Sequence, residues 1–258
     1  MRALDALHSQ DQASGLRRLL QSAPPRMLAL VNCSRATTPW LAAQLRLRAV
    51  AGVRMLVLDE AGSLSTALAG RTLADLLDAV DGRGEPADWL ACPLAGLQLA
   101  RVKMLALRFG QDRICRQRTL RLFEVLRLGC DEWILSVGPE EARAGSAFGK
   151  AADRMLLLLD GEASSARLAY SLVKKMLADG FRPRLAVCYA GAPSADGWRV
   201  AHGFADVLAG RLGVEVMPTG SLGEAQLLDA REGGGCVDAY LARLVQTGGR
   251  ACVAGQAA

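Results

Sequence analysis

From residue 27 onward, apolar runs of four to six residues recur, separated by stretches whose apolar positions fall three and four apart. The runs at 27–31, 54–58, 132–137, 155–159, 185–189 and 214–217 predict strands. Several are unbroken in their apolar character, as in strands buried on both faces. Segments 41–50, 73–80, 116–128, 163–178 and 200–211 predict helices. In the last, Val200, Phe204, Val207, Leu208 and Leu212 lie near one helical face, and Gly52, Gly180 and Gly213 fall where helices should end. Strands alternating with helices predict an α/β fold: a mostly parallel sheet flanked by helices. Gly233-Gly234-Gly235 and the tail from Thr247 read as flexible, with a short helix over 237–245 between them.

The segment before the first strand has a different pattern. Ser9 can cap a helix, with Gln12 reaching back to it. Ala13, Leu16 and Leu20 then share one face, Arg17 and Arg18 lie elsewhere, and Pro24-Pro25 stops the helix. Such a helix is long enough to dock and too short to be stable alone. The pattern divides the chain into 1–25, a docking helix and linker; 26–232, the α/β domain; and 233–258, a Gly-rich linker, helix and tail.

Composition narrows the classes. With 258 residues, 51% of them hydrophobic, the chain can build one large core. A net charge of +5 suits an acidic partner, an anionic surface or plain solvation. No apolar run reaches the roughly 18 residues of a membrane helix, and no signal peptide is evident. Seven cysteines without a CxxC pair fit reduced thiols in a cytoplasmic protein. Only His8 and His202 are present, which argues against a histidine-based metal or catalytic site.

The junction after the first strand carries the candidate chemistry. It reads Asn32-Cys33-Ser34-Arg35-Ala36-Thr37-Thr38-Pro39-Trp40, with no glycine and no lysine. A phosphate-binding turn needs glycines to present several N–H groups and a lysine to reach the outer phosphates. Arg35 is the one cation here, either a lone phosphate contact or a solvated side chain. Asp59 at a strand end reads as a magnesium-side carboxylate or as a structural cap. Trp40 and Pro39 either fill vacated nucleotide space or simply start a helix. Cys33, Cys188 and the other thiols read as inert and buried. Arg113, Arg116, Arg118 and Arg121 form a basic cluster that is either a solvated face or a site for an acidic partner.

Asp11-Gln12-Ala13-Ser14-Gly15-Leu16-Arg17 resembles the D-Q-A-x-x-L-R element that opens FlhG (FleN), a MinD/ParA-type regulator of flagellar number. Val57-Leu58-Asp59 resembles the family's second strand, Arg71 to Leu77 its R-T-L-A-D segment, and Ala169 to Lys174 its A-Y-A-L-I-K stretch. The likeness runs from about residue 10 to 225. It implies a P-loop NTPase-like fold in which Cys33 to Trp40 replace G-K-G-G-V-G-K-T. Glu60-Ala61 stands where the family has A-D, leaving Glu60 as a displaced substitute for the water-side aspartate. Leu135-Ser136-Val137 replaces V-D-T, and Cys188 replaces an adenine-reading asparagine.

What the resemblance implies is a degenerate nucleotide site made of Cys33, Ser34, Arg35, Thr37, Thr38, Asp59 and Glu60. From it we expect a non-hydrolysing regulator with no catalytic residues, no metal and no cofactor. Asp11, Gln12, Ala13, Leu16 and Arg17 then contact FlhF, the signal-recognition-type GTPase of polar flagella, where the glutamine helps order the GTPase site. Basal-body or transcription factors, a second copy of the chain and a peripheral membrane contact at the cell pole are further expected partners; nucleic acid is not. The alternative is an active MinD/ParA-type ATPase with an aberrant nucleotide loop, using ATP and magnesium in cell division or in positioning chromosomes or organelles.

Overall fold

The computed structural model describes residues 25–127, 129–144, 146–191, 195–221 and 235–254. Its strands are β1 (Arg26–Asn32), β2 (Met55–Asp59), β3 (Leu90–Leu94), β4 (Leu97–Arg101), β5 (Glu132–Val137), β6 (Arg154–Leu159), β7 (Arg184–Tyr189), β8 (Val216–Ser221) and β9 (Gly235–Cys236). The larger helices are α1 (Thr37–Val50), α6 (Arg113–Leu126), α9 (Ala163–Ala178), α10 (Ala195–Leu212) and α11 (Val237–Ala254). Shorter ones are α2 (Ser63–Ala69), α3 (Leu76–Val80), α4 (Pro86–Trp89), α5 (Lys103–Phe109), α7 (Pro139–Ala144) and α8 (Ala147–Ala151).

The strands join in one sheet, ordered β3-β4-β2-β5-β1-β6-β7-β8. All neighbours are parallel except the β3–β4 hairpin, and β9 adds an antiparallel pairing at Arg26 and Met27. The six predicted strands are present, and the α/β class with a mostly parallel sheet flanked by helices is the observed one. The hairpin is an addition. Pro93 lacks an N–H and is tolerated because β3 is the sheet edge, and Gly96, at φ 82°, makes the tight turn. Gly235 lies in a strand rather than a linker, and α11 continues to Ala254 where the sequence suggests a tail from Thr247.

Strand alternation sorts side chains between two cores. On one face, Leu30, Val57, Ile134 and Leu156 pack with Leu41 and Leu45 of α1 and Leu64 of α2. On the other, Met27, Ala29, Leu56, Leu58 and Leu157 meet α5, α6, α8, α9, α10 and α11. Aromatic rings knit that second face together: Phe123 meets Trp133 edge-on at 5.3 Å, and Phe109 meets Phe148 at 5.3 Å. Arg48 of α1 binds both carboxylate oxygens of Glu132, at 2.6 and 2.7 Å, pinning the helix to the start of β5. Among the described residues, no helix is long and apolar enough to cross a membrane.

Candidate functional site

The chain runs from β1 leftward to β2 and from β6 rightward to β7 and β8, so strand order reverses between β1 and β6. In open α/β sheets, ligands bind beyond the carboxyl ends of the strands at such a reversal. The β1–α1 turn, Cys33 to Ala36, sits there. Its polar groups are largely turned on one another. Cys33 N donates to Leu158 O at 3.1 Å, Ala36 N to Ser34 Oγ at 3.1 Å, and Thr37 N to Ser34 O at 3.2 Å. Thr38 N donates to Arg35 O at 3.3 Å. The buried Thr37 hydroxyl lies within bonding distance of Ser34 O (2.6 Å) and Asn32 Oδ1 (3.1 Å), and Asn32 donates to Ser136 Oγ at 3.3 Å. Without glycines the turn closes in four residues, and the N–H groups of Cys33, Ala36, Thr37 and Thr38 bond within the protein.

Arg35 is exposed, and Thr38 reaches Ser63 Oγ at 3.4 Å, linking the turn to α2. Trp40 is 44% exposed, so its ring does not plug the vacated space. Cys33 and Cys188 are buried, and burial, with Asp160 nearby, pushes the Cys33 thiol up to about 12. That is an inert thiol.

Asp59 and Glu60 are neighbours in sequence and part company in space. Asp59 is fully buried on the α1–α2 face. It accepts from Gly62 N at 2.9 Å, Ser65 N at 2.7 Å and the Ser65 hydroxyl at 2.9 Å, closing the loop into α2. Burial raises its pKa, and the bonds from Ser65 and Gly62 work against the rise.

Glu60 turns to the opposite face and accepts from the Ser146 hydroxyl at 2.7 Å. Burial lifts its pKa to about 7 against that bond, with Glu141 raising it and Lys103 lowering it. The buried Tyr240 hydroxyl of α11 lies close enough to feel its charge. Glu60 therefore belongs to a buried polar group beneath α11, on the other side of the sheet from Asp59. The expected single cluster from Cys33 to Glu60 is divided: Ser34, Arg35, Thr37, Thr38 and Asp59 share one region, while Glu60 does not.

The crevice also contains a residue that motif reading passed over. Asp160, just past β6, receives bonds from the Ser34 hydroxyl and from Glu162 N, the latter at 2.9 Å. Burial pushes its carboxyl up, but these bonds and that of Ser165 prevail and hold it below the usual carboxylate range. A depression of about 350 Å³ lies alongside, lined by Ser34, Ser164, Ser165, Arg167 and Ser171 among others. The one sequence signal was an aspartate directly after an apolar run.

Other sequence candidates are dispersed. In the α6 basic cluster, Arg116 stacks over Phe109 at 5.8 Å and Arg118 reaches Val80 O at 3.5 Å, so two of the four arginines brace the protein. Asp11, Gln12, Ala13, Leu16 and Arg17 lie outside the described residues. Among the described residues, no group of three or more His, Cys, Asp or Glu side chains is placed to hold a metal. The crevice does not reproduce a glycine cradle. What it offers a nucleotide is Arg35 for phosphate charge, the Thr38 hydroxyl as a donor, and the ionised Asp160 held by Ser34.

No family model matches the chain, and no curated protein matches it in sequence. Solved structures do. A ParA family ATPase from Chlorobium tepidum is similar over 87% of this chain and 99% of its own, with 16% identity and a TM-score of 0.52. The MinD cell division protein of Aquifex aeolicus covers 87% of this chain and 97% of its own at 19% identity, TM-score 0.48. Cobyrinic acid a,c-diamide synthase from Mycobacterium smegmatis, with bound ATP analogue and magnesium, covers 70% of this chain and 82% of its own at 16% identity, TM-score 0.46.

The fold is thus that of MinD/ParA-type P-loop NTPases. Two expectations drawn from the turn are overturned: that the chain is a non-hydrolysing pseudo-ATPase, and that it takes no cofactor. The fold is shared with a ParA family ATPase, so the altered turn is no ground for excluding nucleotide from this architecture.

Proposed function

We propose that the chain is a MinD/ParA-type, nucleotide-dependent positioning protein, an ATPase with a rebuilt phosphate turn that serves partition, division or the placement of a cellular structure. The observation that carries this reading is architectural. The sheet and its flanking helices are similar to a ParA family ATPase over nearly the whole of that protein, with the β1–α1 turn at the strand-order reversal. In this reading Arg35 neutralises phosphate charge, the Thr38 hydroxyl donates to a phosphate oxygen, and Asp160, held by the Ser34 hydroxyl, is the carboxylate that serves a magnesium ion. Magnesium asks for only one or two carboxylates beside phosphate oxygens. A bound nucleotide supplies the free energy of phosphoanhydride hydrolysis. The chain's own groups orient the nucleotide and balance its charge.

Calorimetry with ATP and magnesium tests this. Saturable binding in the micromolar range, weakened about tenfold or more in Arg35→Ala, supports the assignment, by analogy with losing one charge-assisted bond. Absence of saturable binding overturns it.

One observation favours a narrower reading, that the structure being placed is the flagellum. Residues 11–17 carry the D-Q-A-x-x-L-R element, and in this reading Gln12 and Arg17 present themselves to an FlhF-type GTPase. The full chain then raises GTP turnover by FlhF, and Gln12→Ala abolishes the rise without changing the fold. If the wild-type chain leaves FlhF turnover unchanged, the flagellar reading is wrong.

A further inference from the structure

Among the described residues, one face of the sheet lacks helical cover over its right half. Helices α9, α10 and α11 cover β6, β7 and β8 on the side of Leu157, Val187 and Val216. On the other side, among the described residues, α1 and α2 supply the helical cover, and neither extends to β8. The result is a groove of about 580 Å³ near the amino-terminal ends of the strands. Leu28, Ile134, Leu156 and Ala186 form its floor, with Met217 and Pro218 at the far side. Leu28 is only partly buried, and Met217 is 50% exposed.

Helix α1 lies beside the groove, tied through Arg48 to Glu132, which lines it. Arg46 bonds Ala67 O on the α2 side, and Arg48 bonds Glu132 on the groove side. At about 100° per residue, Leu47 lies midway between Arg46 and Arg48, on the solvent side of α1. Trp40 is 44% exposed and Leu47 60% exposed. The apolar floor is of the kind that one more helix would cover.

The sequence just before the first strand offers an occupant. Residue 25 stands at the mouth of the groove: Arg26 lines it, and Pro25 O accepts from Val237 N at 2.8 Å. Immediately before lies the amphipathic pattern of 9–20, whose apolar face is Ala13, Leu16 and Leu20. Four residues, 21–24, connect them and can span up to about 17 Å, counting the link to residue 25. As a helix, twelve residues measure about 18 Å. The five strands from β5 to β8 across the groove measure about 19 Å. The rim carries both signs, with Arg26, Arg184 and Glu215 exposed, which suits a segment holding Asp11 and Arg17-Arg18.

We propose that residues 9–20 dock in this groove in cis, with Ala13, Leu16 and Leu20 set against the sheet floor. The docked segment is then the missing helix of that layer. A regulatory consequence rests on the flagellar reading: the face that holds the segment at home is withdrawn from a partner, so release from the groove precedes partner engagement. The docking itself does not depend on that reading.

Photo-crosslinking of the full chain tests it. p-Benzoylphenylalanine is placed at Met217, and adducts are mapped by mass spectrometry at several protein concentrations. The expected result is an intramolecular adduct within residues 9–20, with a yield independent of concentration. That yield falls severalfold in a Leu16→Asp, Leu20→Asp variant whose circular dichroism is unchanged. Adducts to residues 222–234, adducts to a second copy, or no adduct at all overturn the proposal. No partner is present in the assay, so its failure is separate from failure of the FlhF test.

Discussion

Glu60→Gln should make this protein more stable at pH 8 than the native chain. Glu60 is 3% exposed, and its carboxyl titrates at about 7 against an ordinary value of 4.5. Burial is the first cause, followed by the Ser146 hydroxyl, which opposes it, then Glu141, Lys103 and Asp75. An acid with a raised folded pKa holds its proton more tightly when folded. Its stabilising contribution is complete below about pH 4.5 and is lost as pH rises through about 7. At 1.36 kcal/mol for each unit, the loss between pH 4.5 and 8 is about 3 kcal/mol. Glutamine keeps the shape and can still accept from Ser146, but it carries no charge to desolvate.

Urea unfolding at pH 5, 6, 7 and 8 reads the difference from the midpoint and slope. The variant should lie within about 1 kcal/mol of the native chain at pH 5 and exceed it by about 2–3 kcal/mol at pH 8. A pH-independent difference, or a variant less stable at pH 8, would refute the buried-acid account of Glu60.

Asp59→Ala removes one acceptor from two backbone N–H groups and a hydroxyl. It should cost about 3 kcal/mol in the same assay, and a loss below about 0.5 kcal/mol would mean that the cap is dispensable. Arg48→Met strands Glu132, whose side chain is 10% exposed, and should cost about 3–5 kcal/mol. The double variant with Glu132→Leu should recover most of that, and a simple sum of the single effects would show that the pair is not coupled. Gly96→Ala forces an L-residue to φ 82° and sets a Cβ 3.2 Å from Val53 O. It should lower stability by about 1–2 kcal/mol, and an unchanged unfolding midpoint would show that the hairpin turn relaxes freely.

Much of the architecture was legible because the central strands are buried on both faces. Runs such as Met27 to Val31 and Met155 to Leu159 have no polar alternation to confuse them, and α9 carries an unbroken helical period. The β3–β4 hairpin was not legible. Its Ala-Cys-Pro-Leu-Ala-Gly stretch has neither period, and Pro93 argues against a strand unless that strand is known to be an edge. The turn at Cys33 to Ala36 was legible as a departure from a phosphate cradle, since that conclusion needs only residue types. Which N–H groups the turn spends on itself was not.

The sequence by itself determined the α/β class, the position of the turn at the end of the first strand, and the absence of glycine and lysine from it. Local composition and strand or helix periods suffice for those. Only the tertiary structure decided that Asp59 and Glu60 act on opposite faces, one capping α2 and the other sharing a buried site with Ser146 beneath Tyr240. Alternation predicts that adjacent strand residues diverge, but what waits on each face comes from segments dozens of residues away. The same holds for Asp160, brought to Ser34 by the pairing of β1 with β6, and for the open groove, which exists because the helices after β6 and β7 both lie on one side of the sheet.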